Sequence, residues 1–269
     1  MREKLDCLTR TLQGYKTVAI AFSGGVDSVF LLQAAVDALG VENVVAITVR
    51  ACNFPEREGI EAETFAKSLG VRHVVLFWDP LYLPEFSENS PRRCYYCKKE
   101  VFTMIGASAR DYGAEVLVDG SNADDVDDYR PGTRAARELG VVSPLQECGL
   151  HKSEIRQLLR ERGNPFWSKA SFACLASRVP YGETITGEIL ANIETAEQFF
   201  LDLGFRNIRV RHHGDLARIE VEAADRERFF VENLWEEVDA ALRRLGYKYV
   251  ALDLLGYRTG SLNQGVTEV

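Results

Sequence analysis

Thr17-Val18-Ala19-Ile20-Ala21-Phe22 runs directly into Ser23-Gly24-Gly25-Val26-Asp27-Ser28, and a helical stretch continues from Val26 to Leu39. An unbroken apolar run of this length reads as a strand buried on both faces. Two glycines let the backbone turn tightly and approach a ligand closely. Successive N–H groups then point outward at the positive end of the following helix, which makes a cradle for an anion. Ser23 and Ser28 add hydroxyl donors. Asp27 would repel a bare phosphate, so its presence calls for Mg2+ between the two. The stretch differs from the Walker loop, because no Gly-Lys-Ser/Thr follows. A plain glycine-rich turn with a Ser/Asp cap is the simpler alternative. The placement of this hexapeptide between buried strand and helix speaks against it.

Outward from that loop, apolar runs alternate with helical patterns. Val44–Val49, His73–Phe77 and Glu115–Asp119 read as strands, and Glu56–Leu69, stopped by Gly70, reads as a helix. The alternation predicts βαβ units and a doubly wound parallel sheet with helices on both faces. The pattern changes near Pro180-Tyr181-Gly182. Beyond it come a helix over Glu188–Leu203, strands over Arg206–Arg211 and Ala217–Val221 around a His-His-Gly-Asp turn, a helix over Arg226–Leu245 broken near Asn233, and a strand over Tyr249–Leu254. The expected organisation is therefore an α/β domain over residues 1–180 and a smaller α+β domain over 181–269.

The chain has 269 residues, 46% hydrophobic and 27% charged, enough to bury a core without staples. Its 32 Lys and Arg against 40 Asp and Glu give a net charge of −8. That disfavours binding to long nucleic acid, which needs a basic surface for counterion release. No run approaches the roughly 18 apolar residues that cross a bilayer, and the first residues lack the apolar core of a signal peptide. A cytoplasmic protein with no membrane partner is expected. Six cysteines are too sparse for a disulfide scaffold and read as thiols. Cys7, Cys52 and Cys148 have no partner at a useful spacing and read as structural.

Four further segments carry chemistry. Arg93-Cys94-Tyr95-Tyr96-Cys97-Lys98 opens a helix, with Arg92 and Lys99 beside it. A helix N-terminus and nearby cations favour thiolates, although the same cations could be solvated surface charges. Asp119, Asp124, Asp125, Asp127 and Asp128 crowd at the carboxyl end of a strand, the side on which ligands of parallel sheets bind. Asp124 is the first choice among them for Mg2+ or ribose, and an acidic solvated loop is the alternative. Ala173-Cys174-Leu175-Ala176-Ser177-Arg178 lies near the domain boundary. Arg209 and Arg211 alternate on a strand and so share a face, which Arg218 could join from the paired strand. Forked guanidinium contacts there suit a mononucleotide phosphate, and cross-strand pairing with Glu220 or Glu222 is the alternative. Trp78, Trp167 and Trp235 read as packing residues.

The strand–SGGVDS–helix unit resembles the pyrophosphatase-loop ATP enzymes, among them GMP synthetase, NAD synthetase and tRNA thiolation enzymes. That resemblance implies that Ser23, Gly24, Gly25, Asp27 and Ser28 hold ATP with Mg2+, that ATP is cut between its α- and β-phosphates, and that Thr48 sits beside adenine. Together with RCYYCK, DGSNADD, ACLASR and RVRHHGDLARIE, the sequence resembles the LarE family of sacrificial sulfur transferases over nearly its whole length. The resemblance implies a pyridinium dicarboxylate mononucleotide as substrate, adenylylation of its carboxylate, and conversion to a thiocarboxylate on the route to a nickel-pincer cofactor. It carries Ser177, Arg178, Arg209 and Arg211 over as binding residues. Some members use the cysteine of the C-L-A-S-R motif, here Cys174, as the sulfur source. Others also have a C-x-x-C pair and hold a [4Fe–4S] cluster. With Cys94, Cys97 and Cys174 all present, this chain resembles the cluster-bearing type, and three thiolates leave one iron open for a sulfide. The resemblance also suggests a homo-oligomer. Direct sulfur donation from Cys174 is the first alternative and a tRNA thiolation enzyme the second. An amidotransferase-type synthetase would leave the cysteines unexplained, and a non-enzymatic nucleotide sensor would release no pyrophosphate.

Overall fold

The structure is a computed structural model that describes residues 1–125, 131–170, 172–231 and 233–258. In chain order the elements are α1 (Arg2–Gln13), β1 (Val18–Ala21), α2 (Val26–Leu39), β2 (Val44–Arg50), α3 (Glu56–Ser68), β3 (Arg72–Phe77), α4 (Pro84–Ser87), α5 (Arg93–Asp111), β4 (Val116–Val118), α6 (Pro131–Glu138), α7 (Pro144–Glu147), α8 (Lys152–Glu161), α9 (Gly187–Asp202), β5 (Ile208–His213), β6 (Leu216–Val221), α10 (Arg228–Val231), α11 (Leu234–Arg244) and β7 (Tyr249–Leu252). They form two compact units: Met1–Asp79 with Arg92–Phe172, and Pro80–Pro91 with Ala173–Val269.

The first unit is built on a parallel sheet of order β3-β2-β1-β4. Alternate residues of β1 feed opposite cores. Val18 and Ile20 pack with Leu8, Leu12, Phe30 and Ile155 on one face, and Ala19 packs with Ile47, Ile105 and Ala109 on the other. Both faces are therefore covered, as a parallel sheet requires. The chain passes from β1 outward through β2 to β3 and then returns to pair β4 with the other edge of β1. The loops after β1 and β4 flank that reversal, where open α/β sheets bind ligands.

Helix α1 locks onto the first core through Leu8 and Leu12, and its Cys7 forms a disulfide with Cys148 at the end of α7 (Cα–Cα 5.8 Å). This corrects the reading of all six cysteines as thiols. A separation of 141 residues hides the pairing from any spacing argument.

The second unit has a three-stranded sheet in which β5 and β6 are antiparallel and β6 and β7 parallel. Ile208, Val210, Ile219 and Val221 pack with Phe200, Phe205 and Phe229, whose rings meet at 5.5–6.1 Å between centroids. The helix expected over Arg226–Leu245 is divided into α10 and α11, with Asn233 left-handed at φ 54° between them. His212 and His213 close β5 instead of forming a turn. The turn is Gly214-Asp215, with Gly214 at φ 56°, because only the glycine takes that backbone without strain.

Candidate active site

In the first unit, β1 delivers Ser23–Ser28 to the sheet reversal. Gly24 adopts φ 71°, and a Cβ there would lie 2.8 Å from Ala62 Cβ on α3. The loop therefore presses against α3 so closely that only glycine fits. Gly25 is the N-cap of α2, and no side chain caps that helix end. Ser28 Oγ donates to Gly25 O at 3.0 Å and lies 3.2 Å from Ser23 Oγ, so both hydroxyls gather at the mouth of the loop. From the far side of the reversal, the β4 loop closes on the same helix start. A Cβ on Gly120 would fall 2.9 Å from Ser28 N.

Asp27 stands at this mouth. Its Oδ2 pairs with Lys152 Nζ at 3.2 Å, and its Oδ1 is buried with no hydrogen-bond partner. A buried carboxylate oxygen without a partner is costly, and a hard cation bridging to phosphate would satisfy it. This arrangement fits Mg2+. Lys152 belongs to a further chain of contacts. Asp124 Oδ1 meets His151 Nδ1 at 2.6 Å, and Asp124 Oδ2 accepts from Lys152 N at 2.8 Å. The hydrogen bond from His151 is the main cause that holds the Asp124 carboxyl below its usual range.

The other carboxylates of the β4 loop build the turn. Asp119 accepts from Ser121 N, Ser121 Oγ and Ser143 Oγ, and Asp125 accepts from Asn122 N. Asp127 and Asp128 lie outside the described residues. Thr48 is buried, and its hydroxyl donates to Phe22 O at 2.6 Å while meeting His73 Nε2 at 2.8 Å. One hydroxyl has one proton, so His73 donates from Nε2 and keeps Nδ1 bare. Nδ1 is buried and has no hydrogen-bond partner, and burial pushes the imidazole below its ordinary range.

Cys94 and Cys97 occupy the first turn of α5, one exposed and one buried. They are three residues apart and share a face. No acidic residue lies in that turn. Gly132 of α6 packs against it, since a Cβ there would sit 2.8 Å from Lys98 Cγ and 3.7 Å from Cys94 O. Tyr95 donates to Glu138 Oε2 at 2.6 Å, and Arg134 pairs with the same carboxylate at 2.8 Å. Cys52, on the loop after β2, meets Asp79.

The second unit holds Cys174, Ser177, Arg178, Arg209 and Arg211. Cys174 is half-buried and precedes a short 3-10 turn, Leu175–Arg178. Arg178 is fully buried. Its Nε and Nη2 form a fork on Glu197 at 2.8 Å each, and its Nη1 reaches Ala173 O, Cys174 O and Ser177 Oγ. This side chain thus fixes the backbone that carries Cys174. Arg209 and Arg211 share one face of β5, as their alternation predicts, and both are buried. Arg211 pairs with Glu220 at 2.8 Å and donates to Ser177 O at 2.7 Å. Arg218 also reaches Glu220, at 3.1 Å. Arg209 lies over the Tyr257 ring, and burial, with Arg178 alongside, pushes its guanidinium down to about 10. The cross-strand pairing with Glu220 is therefore present on this face. Among the described residues, no group of three or more His, Cys, Asp or Glu side chains is placed to hold a metal ion.

Residues 2–89 match the NAD synthase family. The chain is 37% identical over 265 residues to the pyridinium-3,5-bisthiocarboxylic acid mononucleotide synthase of Lactiplantibacillus plantarum, covering 98% of this chain and 95% of that one. It belongs to the LarE family. An uncharacterized protein of Synechocystis is 37% identical over the whole of both chains, and an NH(3)-dependent NAD(+) synthetase of Trichlorobacter lovleyi is 31% identical over 56% of each.

Several residues of this LarE chain escaped the reading of its sequence. His151 and Lys152 had a local signal, since Glu154 follows three residues after His151 and its carboxylate accepts from His151 N where α8 opens. Lys169 had none. It is one lysine in a loop, and its partners lie more than a hundred residues upstream.

Proposed function

We propose that the protein is an ATP-dependent sulfur transferase that converts a carboxylate of a pyridinium dicarboxylate mononucleotide into a thiocarboxylate. The observation that carries this reading is the end-to-end likeness to the L. plantarum synthase. The phosphate loop supports it with a suitable anion cradle.

The loop N–H groups, Ser23 and Ser28 take the β- and γ-phosphates of ATP. Asp27 and Asp124 are the acidic groups assigned to Mg2+, which when bound neutralises charge on the departing pyrophosphate. A substrate carboxylate oxygen attacks the α-phosphorus, the bond from that phosphorus to the bridging oxygen breaks, and pyrophosphate leaves. The carboxylate becomes an acyl adenylate, so AMP is the leaving group when sulfur attacks the acyl carbon. AMP departs with the oxygen that the sulfur replaces. Preorganised donors of this kind act where charge develops.

Arg209 and Arg211 are assigned to the mononucleotide phosphate. Cys94, Cys97 and Cys174 are assigned as the three thiolate ligands of a [4Fe–4S] cluster. The paired thiols at the acid-free start of α5 support this choice. Such a cluster would supply the iron chemistry that carries sulfide to the activated carboxylate. Arg178 holds the Cys174 backbone in place.

Anaerobic incubation of the protein with ATP, Mg2+, the mononucleotide and sulfide tests the reading. Pyrophosphate, AMP and a product in which one oxygen is exchanged for sulfur are expected. Absence of pyrophosphate refutes adenylylation. Colourless, iron-free protein that turns over repeatedly refutes the cluster assignment, and one sulfur lost from Cys174 per chain supports direct donation instead.

A further inference from the structure

Lys169 has its ammonium in a fixed place. Nζ donates to Gly24 O at 3.0 Å and lies 2.7 Å from both Glu58 Oε2 and Glu61 Oε2 on α3. An ammonium has three hydrogens, so these three acceptors take all of them. The side chain is 12% exposed, and the loop that carries it is pinned because Arg156 Nη2 donates to Lys169 O at 2.7 Å. Lys169 therefore has no hydrogen left for a phosphate. It acts on the loop.

The Gly24–Gly25 peptide is trans. In a trans peptide the carbonyl and the following N–H point in opposite directions. With Gly24 O held against Lys169, Gly25 N–H must face the other way, toward the serine hydroxyls at the loop mouth. It does so, lying 3.4 Å from Ser23 Oγ. That contact is long for an N–H···O bond, which leaves the N–H ready for a closer acceptor. A peptide flanked by two glycines is also among the easiest to rotate, so its orientation needs an external lock. Glu58 and Glu61 stand beside the loop as well, and Lys169 offsets their charge where a polyphosphate would arrive.

We propose that Lys169 is a positioning residue of the phosphate loop, fixing the Gly24–Gly25 peptide so that Gly25 N–H faces the pyrophosphate portion of a nucleotide. The inference rests on the ATP-binding reading above. Its test is binding of inorganic pyrophosphate with Mg2+ by calorimetry, followed by the KM for ATP in pyrophosphate–ATP exchange. Wild type, Lys169→Met and Glu61→Gln are compared, each with a thermal melt. Lys169→Met is expected to weaken pyrophosphate and raise the KM for ATP by about 10- to 100-fold, the scale of a misplaced anion donor. The KM for the mononucleotide should hold. Glu61→Gln removes one of the ion pairs but leaves Lys169 on Gly24, so it should lower the melting temperature with pyrophosphate affinity unchanged. If Lys169→Met fails to fold, Lys169→Arg serves in its place. Arg keeps the charge but cannot converge three donors on one point, and it too should weaken pyrophosphate. Wild type that binds no pyrophosphate overturns the ATP reading itself. Binding by wild type that Lys169→Met and Lys169→Arg match overturns the role of Lys169 alone. Parallel loss of affinity and melting temperature in Glu61→Gln reduces Lys169 to a structural ion pair.

Discussion

At the phosphate loop, Asp27 keeps one buried carboxylate oxygen without a hydrogen-bond partner, whereas in the second unit Arg178 has every guanidinium nitrogen engaged. Both are charged side chains in motifs that stand out in the sequence. One is left incomplete by its own fold and the other is completed by it. A charged group that the protein does not satisfy is a site waiting for a ligand or a local cost. A group that the protein satisfies from all sides holds something else in place, here the backbone of Ala173 and Cys174. The two regions should therefore answer substitution in opposite ways, one through function and the other through stability.

The largest effect is expected at Arg178. Arg178→Met removes the forked partner of the buried Glu197 and leaves it only Val210 N and the neighbouring Arg209, and breaking a buried pair in this way costs about 3–5 kcal/mol. Chemical denaturation should show that loss. Replacing both members, Arg178→Met with Glu197→Met, should recover most of it. A double variant as unstable as the single would show that the contacts to Ala173 O and Cys174 O carry the energy instead of the ion pair.

Asp27→Asn is the matching experiment at the loop. The side chain keeps its shape and loses only a partly exposed pair with Lys152, worth about 1 kcal/mol or less. The melting temperature should barely move. The catalytic loss, by contrast, should reach about 100- to 1000-fold in pyrophosphate release, the range for removing one preorganised charge-stabilising group. A variant that melts early and still releases pyrophosphate would invert the comparison.

Arg211 tests where the boundary between the two behaviours lies. It pairs with Glu220 and also reaches Ser177 O, yet it is assigned to substrate phosphate. Replacing both members of the pair, Arg211→Met with Glu220→Met, removes two charges together and leaves Arg218, which also pairs with Glu220, its second partner Asp253, so folding should survive. A KM for the mononucleotide raised about tenfold, equivalent to roughly 1.4 kcal/mol, is expected if the arginine binds phosphate. An unchanged KM would assign Arg211 wholly to cross-strand pairing.

The sequence made the first unit easy to read where local pattern decides structure. Continuous apolar strands, the helix from Val26 to Leu39 and the SGGVDS turn all follow from periodicity and from the backbone demands of glycine. The break of the last helix at Asn233 was legible for the same local reason. Contacts fixed by topology were not. Cys7 and Cys148 meet because α1 and α7 pack on one core, and Pro80–Pro91 joins the second unit although it interrupts the first in sequence. Lys169 is found only once Gly24, Glu58 and Glu61 are seen around it. At Arg209 and Arg211 the pattern gave the shared face, while the burial that turns this face into an ion-pair layer came from tertiary packing.

The smallest effect concerns a second unsatisfied atom of the first unit, His73 Nδ1. Burial pushes the His73 imidazole below its ordinary value of 6.5, so the folded state prefers it neutral while the unfolded chain binds a proton there more readily. Stability from this source is complete above about pH 6.5 and declines as the pH falls toward the folded value. Denaturant unfolding from pH 7.5 to 5 should show that decline, and His73→Gln, which keeps an N–H donor for Thr48, should flatten it. His212 and His213 are shifted in the same direction by burial, and they contribute equally to both proteins, so the difference between the two slopes isolates His73. Equal slopes would place the cause elsewhere. Repeating the titration with ATP and Mg2+ bound separates the two kinds of unsatisfied atom: a His73 whose titration ignores the nucleotide marks a cost confined to the core, and one that moves with it joins Asp27 as part of the site.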